Sequence, residues 1–587
     1  MNNHVAVDFE SYYDKEVSIT TLGVWGYLRH PMCEVYMVSV WAEDGHFVGH
    51  PKDFNWHDIL DRPWVSHNAA FDRECYARLI ELGHAPNVHP PEWFCSANLS
   101  AFLGDSERNL AASAKAYLDI DITKDTRKAM MGITHDAMHS TGFYKEVAEY
   151  ALRDAEICWK LWHKMSDKWP AQERMLSELT ILHTQRGLPC DVQYLDEGIQ
   201  TLDRVAWEAA HKLPWAEDGD EDKVLSSIYF AIECRKQGIE PPPSMAQDSI
   251  ECAEWEAAHP DINWIQARRD YLKANLLRTK LKTMRSRVRD DGRLSYGIKY
   301  CGTHTGRWSG DAKFNVQGFQ KAQISGVDMR RVIHVQDPNK KLVIADLSQI
   351  EPRVLAWVSG NWEFLDGCRT ASVYEVHARQ TLGWTGGSLK KEDPKLYALA
   401  KARVLGLGYG CSYARFKDYA KTLHGIDLTL VEAKRTVTDF RAKETAIVDL
   451  WNKFDEDLKE AATNKEDYVV ELPSWRSMKY RKCQYVRREG KQQISAILNG
   501  GRSSVLWGSR LAENIIQAIA RDVFCEVLLR LEAANFTSIL TVHDEVVLEV
   551  PKLVSVDEVQ ALVTQNPSWM PNVPLDSEAV ESDFYLK

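Results

Sequence analysis

Apolar and polar positions alternate at period two in His4–Phe9 and Cys33–Trp41, and stretches of helical period lie between and after them. That mixture predicts an α/β domain over residues 1–165, closed by a clear amphipathic helix at Val147–Trp162. Near Arg186-Gly187-Leu188-Pro189 the pattern breaks and a long helical region begins. The acidic loop Ala216–Asp222 and the Pro-rich loop Gly238–Ser244 interrupt it. From about residue 340 the chain reads as the apolar strand Leu342–Asp346, then long helices, then two alternating strands, Ser538–Val542 and Val546–Val550. The three residues between those strands, His543-Asp544-Glu545, predict a tight hairpin with both acids at its tip. The blocks are therefore 1–165, 166–335 and 336–587.

Composition adds that 587 residues, 44% of them hydrophobic, suffice for several cores. No run approaches a membrane span, and the first residues carry neither a basic nor an apolar leader. The 12 cysteines form no C-x-x-C pair, which fits a reducing compartment and argues against zinc ribbons. A net charge of −12 would not suggest nucleic acid. Charge is unevenly spread, however: residues 268–289 hold nine Lys/Arg against a single Asp.

The chemistry lies in two carboxylate sets. In Val5-Ala6-Val7-Asp8-Phe9-Glu10 the period-two pattern sends Asp8 and Glu10 off one face of a strand. Asn68 and Asp72 are four apart, as are Tyr150 and Asp154, so each pair shares a face if helical. Four such acids suit hard divalent cations, two of which can activate a water against a phosphodiester. Farther on, Asp346 ends an apolar strand and Asp544 sits at the predicted hairpin; brought together they would form a second two-metal platform. Between them, a helix expected over Pro394–Tyr409 carries Lys401, Leu405 and Tyr409 at i, i+4, i+8. Lys401 is suited to neutralising nucleotide phosphates and Tyr409 offers a ring for base stacking.

In order and spacing, the N-terminal set resembles the three motifs of DnaQ-like 3′–5′ proofreading exonucleases over residues 1–165. The C-terminal segments resemble motifs A (Asp346-Leu347-Ser348-Gln349-Ile350-Glu351), B (Lys401-x7-Tyr409-Gly410) and C (Val542-His543-Asp544-Glu545) of family A DNA polymerases. Thr305-Gly306-Arg307-Trp308-Ser309 and Leu472-Pro473-Ser474 agree with that likeness. The resemblance implies a multidomain α/β and α+β fold: an RNase H-like exonuclease plus a right-hand polymerase. The linker and thumb would occupy 166–335, with the palm starting near 295–335, and palm and fingers 336–587, with fingers at about 365–440.

It implies catalytic roles for Asp8, Glu10, Asp72, Asp154 and Tyr150 in the exonuclease, and for Asp346, Asp544, Glu545 and Lys401 in the polymerase. Each site would hold two Mg²⁺, with Mn²⁺ as the alternative, on Asp8, Glu10, Asp72 and Asp154 or on Asp346 and Asp544. Gln349, Glu351, Lys401, Leu405, Tyr409 and His377 would contact the dNTP, with Glu351 crowding a ribose 2′-OH. Primer–template DNA would meet Arg307, Asn68, Gln517, His543 and the thumb cations Arg278, Lys280, Lys282 and Arg285. A second basic set, Arg476, Lys479, Arg481, Lys482, Arg487 and Arg488, would track template or primer.

The pattern departs from the family at Tyr397, where an arginine usually precedes the motif B lysine, and at Leu405, usually Phe or Tyr. Lys395 or Arg403 would supply the missing phosphate contact. No block of 5′-nuclease residues precedes the exonuclease, which with the size suggests a phage replicase working in host cytoplasm, alongside replisome proteins. The likeness admits the phage subclass that favours 2-aminoadenine over adenine. The rival readings are an exonuclease whose C-terminal half only binds DNA, and a non-catalytic replisome scaffold.

Overall fold

The computed structural model describes residues 3–123, 125–216, 219–245, 249–319 and 321–586. Residues 217 and 218 of the expected acidic loop lie outside them. The chain forms two compact units. One gathers residues 1–187, 295–317 and 343–581; the other gathers 188–294, 318–342 and 582–587.

The first unit begins with a five-stranded sheet: β1 Val5–Ser11, β2 Val35–Ala42, β3 Gly45–Gly49, β4 Trp64–Ser66 and β5 Trp93–Cys95, ordered β3-β2-β1-β4-β5. β1 pairs antiparallel with β2 and parallel with β4. Helices α1 (Ala69–Glu81), α2 (Tyr144–Met165) and α3 (Ala171–Arg186) follow. α2 runs longer at both ends than its sequence pattern suggests, burying Val147, Ala151, Ala155, Cys158, Leu161 and Met165 at three- and four-residue spacing. Edge-to-face rings of Trp56, Trp64, Tyr76 and Trp93 fill the core beside α1.

A second, four-stranded sheet is formed by β6 (Lys340–Leu347) and three strands near the C-terminus. Helices α4 to α8 are Ile350–Val358, Val373–Thr381, Pro394–Ala402, Leu430–Lys443 and Thr445–Asn464. Strands β7 (Tyr468–Glu471), β8 (Ser477–Arg488), β9 (Lys491–Ile497) and β10 (Ser503–Leu506) form an antiparallel sheet in that order. Then come α9 (Gly508–Ala533), β11 (Ser538–Val542), β12 (Glu545–Pro551) and β13 (Ser577–Ser582), and the order β11-β12-β6-β13 puts β6 between the hairpin and the last strand. α9 is buried along most of its 26 residues. Its first residue has to be glycine, because a Cβ there would stand 1.9 Å from the Trp451 carbonyl oxygen of α8.

The helix expected over Pro394–Tyr409 is not continuous. It is α-helical to Ala402 and then widens into a π turn, Arg403–Leu407.

The second unit is built on two long helices, Val192–Ala210 and Asn263–Arg285, packed through Leu195, Leu202 and Ala206 on one and Ala274, Leu277 and Leu281 on the other. Its basic run is largely paired. Arg278, 9% exposed, bonds Asp203 and Glu221; Lys282 bonds Asp203, and Arg285 bonds Asp196. All three side chains tie helices together; Arg278 is thereby turned inward, away from its expected place as an open phosphate contact, whereas Lys282 and Arg285 stay about half exposed and Lys280 is half-buried.

Candidate active sites

Asp8 and Glu10 leave β1 on the face opposite buried Val7 and Phe9, as the alternation requires. Asp72 stands in the first turns of α1, 1% exposed, and Tyr150 and Asp154 lie one turn apart on α2. Asn68 differs from expectation: at φ 87° it is the residue before α1, so it does not share a helical face with Asp72.

All four acids are raised, by burial first and, in Asp8, Glu10 and Asp72, by neighbouring acids as well. Burial, then Glu10, Asp72 and Asp154, hold the Asp8 carboxyl well above its usual range. Burial pushes Glu10 to about 7, opposed by the Arg127 guanidinium. Asp154 rises to about 6 by burial, opposed by the Tyr150 hydroxyl and Arg127, and burial also raises Asp72. The same burial and acids push the Tyr150 hydroxyl far up, so it stays protonated and acts as a donor. Both carboxylate oxygens of Asp72, and Oδ1 of Asp154, are buried without a hydrogen-bond partner. Orphaned oxygens in a cluster of opposed acids fit a hard divalent cation.

Arg127 escaped the sequence reading. It lies on the short helix Asp125–Ala129, where a lone arginine in a polar connection carries no signal; Tyr13 donates its hydroxyl to the Arg127 carbonyl.

In the second site, Asp346 lies near the end of β6 and Asp544 in the turn between β11 and β12. The Leu347 N–H donates to the Asp544 carbonyl at 3.1 Å, which draws the two segments together. Burial and then the Asp346 and Glu351 charges raise the Asp544 carboxyl to about 6. His543, at φ 58°, and Asp544 form the tip; Glu545 is not there but opens β12 opposite Val542, 8% exposed. The tip is tighter than expected because the ladder closes one residue sooner.

Glu351, in the first turn of α4, takes Arg307 on one oxygen and the Tyr409 hydroxyl at 3.2 Å on the other. Lys401 has its Nζ 5.9 Å from the Tyr374 ring centroid and forms no ion pair among the described residues. Leu405 lies on the π turn, half-buried. Gln349, at φ 55°, turns its Oε1 to the Val373 N–H at 2.8 Å, so its side chain caps α5. Gln517 on α9 donates to Glu513 at 3.3 Å.

Three expectations are corrected. His377 is 1% exposed, its ring held by Glu444 at 3.0 Å and by Thr381 at 3.1 Å, so it is an internal strut. Arg403 is 2% exposed and bonds Asp439 and the His377 ring, so it does not replace the arginine absent at Tyr397; Lys395 is exposed. Of the second basic set, Lys479 and Arg481 are bound to Asp105, and Arg476 is buried on Asp522 at 2.9 Å.

Arg476 also donates to the Thr305 carbonyl at 3.0 Å, and Arg521 donates to the Gly306 carbonyl at 3.0 Å while gripping Glu173 of α3. The two guanidiniums thus hold the loop that presents Arg307. Gly306 has φ 86°, and a Cβ on it would meet Arg476 Nη1 at 2.8 Å, so both the backbone and the close approach require glycine.

The family model for DNA polymerase family A matches residues 221–582. A DNA polymerase of Bacillus phage SP02 is 23% identical, with 99% of each chain covered. The thermostable DNA polymerase I of Thermus filiformis is 26% identical over 74% of this chain and 50% of its own length. Among solved structures, the polymerase domain of Pol1 from M. smegmatis, in complex with DNA primer-template and dNTP, superposes with a TM-score of 0.68 at 16% identity, covering 99% of this chain and 95% of that one. The acids of β6 and of the β11–β12 turn, and the lysine of the broken helix, all fall inside the matched residues, which are more than half the sequence: the chain belongs to DNA polymerase family A.

Proposed function

We propose that this family A enzyme extends a primer 3′-OH by template-directed addition of dNMP and removes misincorporated nucleotides with its N-terminal residues. In that reading 1–165 are the 3′–5′ exonuclease, 166–335 linker and thumb with the palm starting near 295–335, and 336–587 palm and fingers, the fingers at about 365–440. Likeness to the phage SP02 enzyme along the whole chain favours a phage replicase acting in host cytoplasm. No helix among the described residues is long and apolar enough to cross a membrane.

The observation that carries the polymerase assignment to residues is the junction of Asp346 with Asp544, with Lys401, which has no acid partner among the described residues, over the Tyr374 ring that the Asp544 charge also reaches. Asp346 and Asp544 would hold Mg²⁺, and Asp8, Glu10, Asp72 and Asp154 would hold it in the exonuclease. Bound divalent cations supply Lewis-acid polarisation of the attacking and leaving oxygens. The chain's own groups do the rest. Lys401 neutralises the triphosphate, and Glu351, fixed by Arg307 and Tyr409, excludes a ribose 2′-OH. In the exonuclease the protonated Tyr150 orients the water, and Arg127 offsets the crowded acids.

Asp346→Ala should abolish primer extension and spare 3′-end degradation, and Asp8→Ala should do the reverse. Loss of both activities in one folded variant would sink the two-site reading; absence of extension by the unaltered enzyme would favour a nuclease with a DNA-binding C-terminal half. Run opposite template T with dATP competing against the 2-aminoadenine nucleotide, the same assay tests whether this phage-like enzyme is a modified-base specialist.

A further inference from the structure

Away from both carboxylate sites, three segments distant in sequence bring together donors of another kind. Glu34 directly precedes β2, His50 directly follows β3, and His135 opens the short helix His135–Thr141. One ligand atom from each lies within 4.8 Å of the others. A single carboxylate oxygen of Glu34, Oε1, faces both rings: His50 Nε2 at 3.7 Å and His135 Nδ1 at 3.7 Å.

Those separations are too long for direct hydrogen bonds. They approach what a metal would span, since two zinc–ligand bonds of about 2.0–2.2 Å at a tetrahedral angle hold their donors about 3.4 Å apart. The His135 ring is already oriented: it stacks on buried Tyr36, with centroids 5.9 Å apart and planes 8° from parallel. Its far nitrogen, Nε2, lies 3.0 Å from His139 Nε2. A proton on His135 Nε2, donated to His139, leaves Nδ1 with its lone pair toward Glu34, the outer-sphere arrangement that metal-bound histidines use. The Glu34 side chain is 51% exposed, so solvent reaches the fourth position.

We propose that Glu34, His50 and His135 form a structural site for a divalent transition cation of the zinc class, completed by water. Two imidazoles with one carboxylate select such an ion over Mg²⁺ or Ca²⁺, which take oxygen ligands. Its role follows from what it joins. His135 and Arg127 belong to one connection, which Tyr13 also holds by accepting the Gly132 N–H at 2.8 Å on its carbonyl. The ion fastens this connection to the sheet at a second point and steadies Arg127 beside the exonuclease acids. Loading has one local cost: His50 Nδ1, which accepts the Lys52 N–H at 3.2 Å, must carry the proton once Nε2 ligates.

The test uses the full chain, stripped by a chelator and held in excess Mg²⁺ to fill the carboxylate sites, then titrated with Co²⁺. One equivalent should raise the intense visible absorption of low-coordinate cobalt, and Zn²⁺ should displace it. His50→Ala and His135→Ala should each weaken binding at least tenfold, with circular dichroism confirming the fold. In hydrogen exchange, Zn²⁺ should slow the amides of residues 125–141 and quicken that of Lys52 in the unaltered chain and in neither variant. A band that persists in both histidine variants, or no Co²⁺ or Zn²⁺ uptake by the stripped chain, would overturn the proposal.

Discussion

Replacing Glu10 by glutamine should strengthen the metal-free fold while ending exonuclease activity. Burial, with Asp154 adding to it and Arg127 opposing it, lifts the Glu10 carboxyl from its ordinary 4.5 to about 7. Between those two values the folded chain binds more protons than the unfolded one, so stability falls as pH rises through that window, and the loss is complete above about 7. At about 1.4 kcal/mol per pH unit, ionising Glu10 costs the fold up to ~3 kcal/mol. Partial solvent access lowers the expected gain for Glu10→Gln, which keeps the shape without the charge, to about 1–3 kcal/mol. The assay is urea unfolding at pH 8 with a chelator present, followed by tryptophan fluorescence. The variant's midpoint should lie above that of the unaltered chain, and the difference should shrink at pH 5, where Glu10 is protonated in the folded chain. Mg²⁺ should then stabilise the unaltered chain more than the variant, because the cation offsets a repulsion the variant lacks. An unchanged or lowered midpoint at pH 8 would refute the claim that the buried Glu10 charge opposes the fold.

The Asp544 carboxyl, raised to about 6, must lose its proton to serve as a ligand, so the Mg²⁺ needed for half-maximal extension should rise about tenfold as pH falls to 5; a flat Mg²⁺ demand would contradict it. Arg476→Met takes one of two guanidiniums from buried Asp522, leaving it Arg521 at 3.1 Å and the Ser474 hydroxyl, and should cost up to about 3 kcal/mol in urea unfolding, with part of the loss restored by Asp522→Leu in the same chain. No restoration would mean the pair is not what holds this place. Gly306→Ala puts a Cβ against Arg476 at φ 86°. It should cost more than about 1 kcal/mol and slow primer extension with 3′-end degradation intact; equal loss of both activities would place the loop's role elsewhere.

What the sequence could disclose follows from the range of the interactions. Asp8 and Glu10 are legible because period two alone puts them on one strand face, and Val7 and Phe9 confirm which face is inward. Asp346 and Asp544 are legible for a related reason: an apolar strand and a hairpin each fix where their acid emerges. The basic run at 268–289 reads as open cation surface only until its partners are known. Asp196, Asp203 and Glu221 sit 57 to 89 residues from the arginines and lysine they neutralise, and nothing in local spacing announces them. The same holds for Arg403, whose place in a motif suggested a phosphate contact but whose π turn carries it inward to Asp439 and His377.

Helical numbering fails at that turn, because widening the helix rotates every residue after it relative to those before. Lys401 and Tyr409 therefore owe their relation to the π turn as well as to their spacing in sequence. The acids proposed to carry the chemistry are set by short-range pattern. The cations beside them, Arg127 in one site and, in the other, Arg307 on the loop that Arg476 and Arg521 hold, take their places from long-range packing. Buried opposed acids are costly, and the cations that offset them can come from any segment the fold brings near, so sequence spacing constrains the acids far more than their counter-charges. That asymmetry explains why both carboxylate sets could be named in advance while Arg127, Arg476 and Arg521 acquired their roles only in three dimensions.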